Sequence, residues 1–418
     1  MDWIHKLRGL VPALLALVLF IQSSPAADEI HWTFTGQTSV TIDWRGLTDE
    51  DYVFYGTSPG IFTDVVTAVA PEPLPFSSPG PFWEAKLTGL AEDTLYYYSV
   101  AGGPEHTFRT PPPRGNSTFT VYAEADVGDA VNYPRMGLVQ DLIAAGNPHF
   151  VLVAGDLSYG DIHGQAAVDQ HFNDVMVWSQ DAAYMPTWGN HEWNAPANDD
   201  LRNYKGRFDF PNPQTSPNAP PAGCCGEDWY WFDYGNVRFI SYPDVWDYSV
   251  GWSNWAPQAD VLMAEAEADP DIDFIVTHGH RPAYSSGHQE GLDLLRGILD
   301  NLGASYGKYV LNINGHSHDY ERTLPQNGVV HITVGTGGSG VGGDDVACRW
   351  STCPPPSWSA FRAVHTGALR LNFSATAEGK ADIDGSFICG PASSRDDVGC
   401  VMGEVLDSFS IGPNMPPE

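Results

Sequence analysis

Residues 307–323, GKYVLNINGHSHDYERT, govern how the rest of the chain is read. YVLNIN has the length and apolar character of a buried strand, and it stops at Gly315 with His316 and His318 immediately beyond. Neutral imidazole is the commonest protein ligand for transition ions. Residues i and i+2 of an extended segment point to the same side, so the two rings can serve one site. A polar loop is the other explanation of such a pair. The remaining strand ends have to decide between them.

From residue 118 onward the same design recurs. FTVYAEADVGD (119–129) reads as a strand ending in Asp126, followed by a helix in MGLVQDLIAAG (136–146). HFVLVAGDLSYG (149–160) is a strand buried on both faces that ends in Asp156, and YMPTWGNHE (184–192) and DFIVTHGH (273–280) stop at polar clusters in the same way. WYWFDYGNVRFISY (229–242) reads as a hairpin turning at Gly235-Asn236, and the C-terminal runs 368–375, 380–388 and 404–412 as further strands. Strands alternating with helices predict an α/β domain over 118–418, β-sheets sandwiched by helices, whose ligands collect beyond the carboxyl ends of the strands. Ahead of it, HWTFTG, SVTIDWRG, DYVFYGTSPG, FWEAKLTGL and TLYYYSVAGG predict an all-β sandwich over 28–110. That module holds no convincing titratable cluster, and the Pro-rich residues 111–117 read as a stiff linker.

Bulk properties narrow the setting. Lys6 and Arg8 precede an apolar run from Leu10 to Ile21, too short to span a bilayer, so residues 1–26 read as a secretory signal peptide. Six cysteines fit an oxidising compartment; Cys348 with Cys353 and Cys389 with Cys400 are the simplest short loops, while Cys224 and Cys225 can pair with each other or elsewhere. The protein is expected to be secreted, or periplasmic in a Gram-negative cell, without a membrane anchor. Its net charge of −32 repels nucleic acid and anionic membranes. It also repels phosphate esters, which therefore need strong local positive charge, most naturally from metal ions.

Five strand ends thus deliver Asp126; Asp156 with Tyr159; Asn190 with His191; His278 and His280; and His316 with His318. A lone strand-end Asp is usually a helix cap and a lone His usually structural, but five such clusters are hard to explain that way. The mixed oxygen and nitrogen set is too large for one tetrahedral zinc and suits two metals sharing a bridging carboxylate.

The ordered blocks Asp126, Gly155-Asp156-Leu157-Ser158-Tyr159, Gly189-Asn190-His191-Glu192, His280 and Gly315-His316-Ser317-His318 resemble those of the purple acid phosphatases, within the calcineurin-like metallophosphoesterases. The likeness extends to Tyr320-Glu321-Arg322 and to the N-terminal sandwich, similar to that family's fibronectin-type-III-like domain. It implies one metal on Asp126, Tyr159 and His318, a second on Asn190, His280 and His316, and Asp156 between them. The first set carries two anionic oxygens before the bridge and fits Fe(III), because a phenol ionises near neutrality only beside a strong cation. The second suits divalent Fe, Zn or Mn. At the fourth block the H-x-P-x-Y spacing to Tyr284 favours His280, with His278 as the rival.

The resemblance further implies hydrolysis of small phosphate monoesters by a metal-bound hydroxide. His191 would contact the phosphate and His288, in SSGHQEG, would protonate the leaving group; His163 is a weaker candidate for such a role. The glycine-rich residues 334–343 lack the G-K-[ST] of a P-loop and are expected to form turns beside the site. ACRWSTCPPPSW (347–358) is either a lid or an inert loop. Two alternatives stay open: a phosphodiesterase or nucleotidase on the same site, and a secreted binding protein with a vestigial one.

Overall fold

The computed structural model describes residues 27–193, 199–217, 226–245, 247–342, 348–375 and 381–412. The signal-peptide reading of residues 1–26 and the pairing of Cys224 and Cys225 lie outside the described residues.

The first unit consists of β1 (Asp28–Gly36), β2 (Ser39–Arg45), β3 (Tyr52–Gly56), β4 (Asp64–Thr67), β5 (Phe82–Thr88), β6 (Leu95–Val100) and β7 (Glu105–Arg109). All pairings are antiparallel, in a three-stranded sheet β1-β2-β5 and a four-stranded sheet β4-β3-β6-β7. Trp32 of β1 and Phe108 of β7 meet between the sheets, ring centroids 5.9 Å apart. Sequence patterning predicts five of these strands. β4 and β7 escape it because they are short edge strands, largely uncovered, and so carry no apolar alternation.

The second unit runs β8 (Phe119–Glu124), α1 (Met136–Ala145), β9 (Phe150–Ala154), α2 (Gly160–His163), α3 (Gln165–Ser179), β10 (Ala183–Thr187), α4 (Asn190–Trp193) and α5 (Arg202–Lys205). It continues through β11 (Trp231–Tyr234), β12 (Val237–Ser241), α6 (Tyr248–Ala268), β13 (Phe274–His278), α7 (Asp293–Ser305), β14 (Tyr309–Asn314), β15 (Tyr320–Thr323) and β16 (Val330–Val334). β17 (Ser359–Ala363), β18 (Gly367–Ala375), β19 (Ala381–Cys389) and β20 (Val405–Ile411) complete it. Two sheets result, β10-β9-β8-β18-β19-β20 and β11-β12-β13-β14-β16-β15-β17. β8, β9 and β10 are parallel in the first, and β12, β13, β14 and β16 in the second. Strands covered on both faces explain the apolar runs FVLVA of β9 and FIV of β13, and every residue of both strands is buried.

The sheets face each other through aromatic rings, with Phe239 5.4 Å from Phe150 and 5.8 Å from Phe373. Trp252 and Trp255 of α6 and Leu295 and Leu299 of α7 pack with Ile240 and Ile275 on the outer side of the seven-stranded sheet. α1 and α3 pack on each other, α1 also against β18 of the six-stranded sheet. The parallel strands of both sheets point their carboxyl ends to one edge of the sandwich. One detail departs from expectation: β8 stops at Glu124, so Asp126 lies in the loop two residues beyond rather than on the strand.

The two units share one continuous core. Phe34 of β1 lies 5.7 Å from Phe150 and 4.8 Å from Phe232. Arg114 of the 111–117 segment bonds Asp233 at 2.7 Å and Asp269 at 2.9 Å, which fastens the linker to the second unit. Arg207, only 2% exposed, donates to Glu29 at 2.8 Å, to Asp169 at 3.0 Å and to the Asn203 carbonyl at 2.7 Å. Removing one partner of a buried ion pair strands the other charge, at a cost of about 3–5 kcal/mol. Arg207→Met is therefore expected to lower the urea midpoint clearly, and Glu29→Gln in the same chain to restore part of it. An unchanged midpoint in the single variant would contradict this account of the interface.

Candidate metal centre

Tight reversals at the strand ends bring the polar blocks together. Asp126 (φ 57°), Asp156 (φ 53°), Tyr159 (φ 57°) and His316 (φ 69°) all occupy the left-handed region. For residues other than glycine this is uncommon and costs roughly 1–3 kcal/mol each, so the surrounding structure must impose it. Neighbouring glycines let the loops close. A Cβ at Gly189 would lie 2.2 Å from Asp156 Oδ1, and one at Gly315 would lie 2.3 Å from the Ala125 Cβ.

Seven donor side chains converge. Tyr159 Oη lies 3.3 Å from Asp126 Oδ1 and 3.2 Å from His318 Nε2, and His318 Nε2 lies 3.2 Å from Asp126 Oδ1. Alongside, His280 Nε2 is 3.1 Å from Asp156 Oδ2, 3.2 Å from Asn190 Oδ1 and 3.1 Å from His316 Nδ1. Donor atoms of Asp156, His280 and His316 all fall within 4.8 Å of one another. The ring orientations are set from outside: Nδ1 of His280 bonds the Ala154 carbonyl at 2.9 Å and Nδ1 of His318 the Gly340 carbonyl at 2.8 Å, so both turn Nε2 inward. His316 turns Nδ1 inward, and its Nε2 lies 3.0 Å from Arg281, which Asp244 holds at 2.9 Å. Carboxylate, phenol, amide and imidazole atoms thus crowd together with too few protons to pair them, an arrangement that cations complete. The residues fit a metal pair.

The electrostatics agree. Burial opposes charge on Asp156, yet His280, His191 and His316 hold its carboxyl well below the usual range. Burial, then the charges of Asp126 and Asp156, push the Tyr159 phenol well above its ordinary value, so a cation is needed to ionise it. Burial and the neighbouring His280 and Arg281 keep His316 well below the usual imidazole range, in the neutral form that ligates. His278 behaves differently. It sits on β13, fully buried, with Nε2 3.2 Å from the Tyr230 hydroxyl, and burial pushes it down to about 3. The structure places His280, not His278, with the other donors.

Above the donors lies a pocket of about 430 Å³ lined by Asp156, Asn190, His316 and His318, with His191, His288 and Ser339 also on its walls. His191 is fixed by Asp161, whose carboxylate accepts from Nδ1 at 2.9 Å. Burial works against its charged form, but the Asp161 hydrogen bond and the Asp156 charge raise it to about 9. His288 is exposed, on a loop tied down where Glu321 accepts from Ser286 N at 2.6 Å and Oγ at 2.7 Å. His163 is not on the pocket wall and bonds the Tyr133 hydroxyl at 2.9 Å. The glycine-rich stretch contributes Ser339, Gly340 and Gly342 to the wall. The loop around Cys348 lines a neighbouring cavity instead, its Ser351 bonding the Ser286 carbonyl. Sequence reasoning missed Asp161, Asp244, Arg281 and Arg395, and named the stretch that holds Ser339 but not the residue; Asp161, two residues past Tyr159, and Arg281, next to His280, carried a local signal, whereas Asp244 and Arg395 reach the site through space.

Three family models match successive parts of the chain. They are a purple acid phosphatase N-terminal domain over residues 27–113, a calcineurin-like phosphoesterase over 119–320, and an iron/zinc purple acid phosphatase-like C-terminal region over 328–378. Purple acid phosphatase 18 of Arabidopsis thaliana is 29% identical over 367 residues, covering 83% of this chain and 78% of that protein. The structure of purple acid phosphatase PPD1 from yellow lupin seeds superposes with a TM-score of 0.69 at 21% identity, over 93% of this chain and 74% of the lupin chain. PhoD superposes at 0.64 with 12% identity, over 92% and 90%.

His280→Ala is expected to lose one of two bound metal ions after reconstitution, read by elemental analysis. His278→Ala should keep both and lose thermal stability. The reverse pattern would overturn the choice between the two histidines.

Proposed function

We propose that this chain, which belongs to the purple acid phosphatase family of calcineurin-like phosphoesterases, is an exported acid phosphatase acting on small phosphate monoesters. The observation that carries this reading is the convergence of seven donors beneath a pocket whose walls hold His191 and His288. In our assignment Asp126, Tyr159 and His318 would hold one ion, Asn190, His280 and His316 the other, and Asp156 would be shared between them. The charge of the two sets suits a ferric ion at the first and divalent Fe, Zn or Mn at the second. A metal pair bound there supplies positive charge to the phosphoryl oxygens and acidifies the attacking water.

The chain's own residues do the rest. His191, oriented by Asp161, donates a hydrogen bond to a phosphoryl oxygen as negative charge builds in the transition state. His288, on the exposed rim, gives a proton to the departing alkoxide. Asp156 is held for its bridging role by the His191 backbone N–H, 2.9 Å from Oδ1. Export is supported by the closed Cys348–Cys353 and Cys389–Cys400 disulfides and by the basic and apolar residues near the N-terminus. Among the described residues no helix is long and apolar enough to cross a membrane.

Initial rates on an aryl monoester and the matching diester, at mildly acid pH with metal-replete protein, test the reading. The monoester should be strongly preferred; diester preference would make the protein a phosphodiesterase, and hydrolysis of neither would favour a binding role. Asp156→Asn should reduce phosphate release to background, and wild-type rates in that variant would exclude the site. His191→Ala should lower kcat by about 10²–10³, the range for losing a transition-state donor.

A further inference from the structure

One part of the pocket wall comes from outside the five strand-end blocks. The loop closed by Cys389 and Cys400 brings Arg395 to the lining, beside His288 and Gln289. The loop is held in shape. Asp396 accepts from Ser393 N at 2.7 Å and Oγ at 2.8 Å, and Asp397 from Val364 N at 2.7 Å and Trp350 Nε1 at 2.8 Å. The two acids that follow Arg395 are thereby committed elsewhere. Its backbone N–H donates to Ser393 Oγ at 3.0 Å, while its guanidinium has no hydrogen bond or ion pair among the described residues.

Acidic residues outnumber basic ones in this chain by 52 to 20. Arg45, Arg207, Arg238, Arg281 and Arg322 each meet a carboxylate. The donors at the pocket floor are buried (Asp156) or half-buried (Asn190, His316 and His318), whereas Arg395 is exposed. An ester seated by its phosphoryl group on the floor therefore sends its leaving group toward a rim where the Arg395 guanidinium has no partner among the described residues. Just beyond, Arg349 Nη2 lies 3.5 Å from the Ser394 carbonyl, and with Arg362 it lines the neighbouring cavity of about 750 Å³. The positive charge at the rim thus continues outward, and the guanidinium fork matches phosphate geometry.

We propose that Arg395 is a specificity-determining residue that binds a second phosphate on the leaving group, so that esters carrying two or more phosphates are favoured over simple monoesters. The inference rests on the phosphatase reading above.

Propylphosphonate and propane-1,3-bisphosphonate differ by one phosphonate and are not hydrolysed, so calorimetric titration of the metal-loaded full chain reads the preference without turnover. A charge-assisted contact of this kind corresponds to roughly tenfold or more in Kd. Wild type should favour the bisphosphonate by at least that much. Arg395→Ala should narrow the ratio to within about threefold, and Arg395→Lys should keep an intermediate value. A wild-type ratio near unity, or one that Arg395→Ala leaves in place, overturns the proposal. Phenyl phosphate turnover measured on the same wild-type sample separates the two readings: turnover without an Arg395-dependent ratio sinks this inference alone, and its absence sinks the phosphatase reading.

Discussion

The buried carboxylate of Glu192 accepts hydrogen bonds from the backbone N–H groups of Gly189 at 2.6 Å, Asp156 at 2.9 Å and Leu157 at 2.8 Å. It thereby staples the loop after β9 to the loop after β10, without being placed to bind metal itself. The loop after β9 is under backbone strain, with Asp156 and Tyr159 in the left-handed region. Such conformations persist only where surrounding contacts over-determine them, and three hydrogen bonds to one fully buried acceptor do so here. Asp126 plays the matching part across the two sheets: its Oδ2 accepts from His316 N at 2.8 Å, which ties the loop after β8 to the loop after β14. The donors meet because the backbone between them has been tied first.

The fold makes this possible by aiming the parallel strands of both sheets at one edge. Aromatic packing through Phe150, Phe239 and Phe373 keeps the two sheets in contact. The first unit braces the same block from behind, through Phe34 and the Glu29–Arg207 pair. An acidic surface would otherwise drive phosphate away. The pocket overcomes this locally, through His191, whose imidazole Asp161 and Asp156 push upward, and through Arg395, whose guanidinium has no partner among the described residues.

Most of the donor set was legible in the sequence because each member lies within a few residues of a strand end, where an apolar run gives way to a polar one. His316 and His318 after YVLNIN, and Asp156 and Tyr159 after FVLVA, are of this kind. What was not legible is contact made through space. Asp244 reaches the site by way of Arg281, and Arg395 by a loop some eighty residues past the last histidine block; neither has a local pattern. His278 and His280 illustrate the boundary. Spacing to Tyr284 favoured one of them, but only the packing of His278 on Tyr230 shows what the other does. In the first unit the strands with alternating apolar residues were readable, and the exposed edges β4 and β7 were not.

The most direct measurement is an anomalous-scattering experiment on crystals of metal-replete protein, with data collected above and below the iron edge. Two peaks are expected about 3.5–4 Å apart, with Asp156 between them, the iron peak against Asp126, Tyr159 and His318 and its neighbour against Asn190, His280 and His316. A single peak, or two peaks away from these seven side chains, would contradict the dinuclear centre on which the functional reading stands.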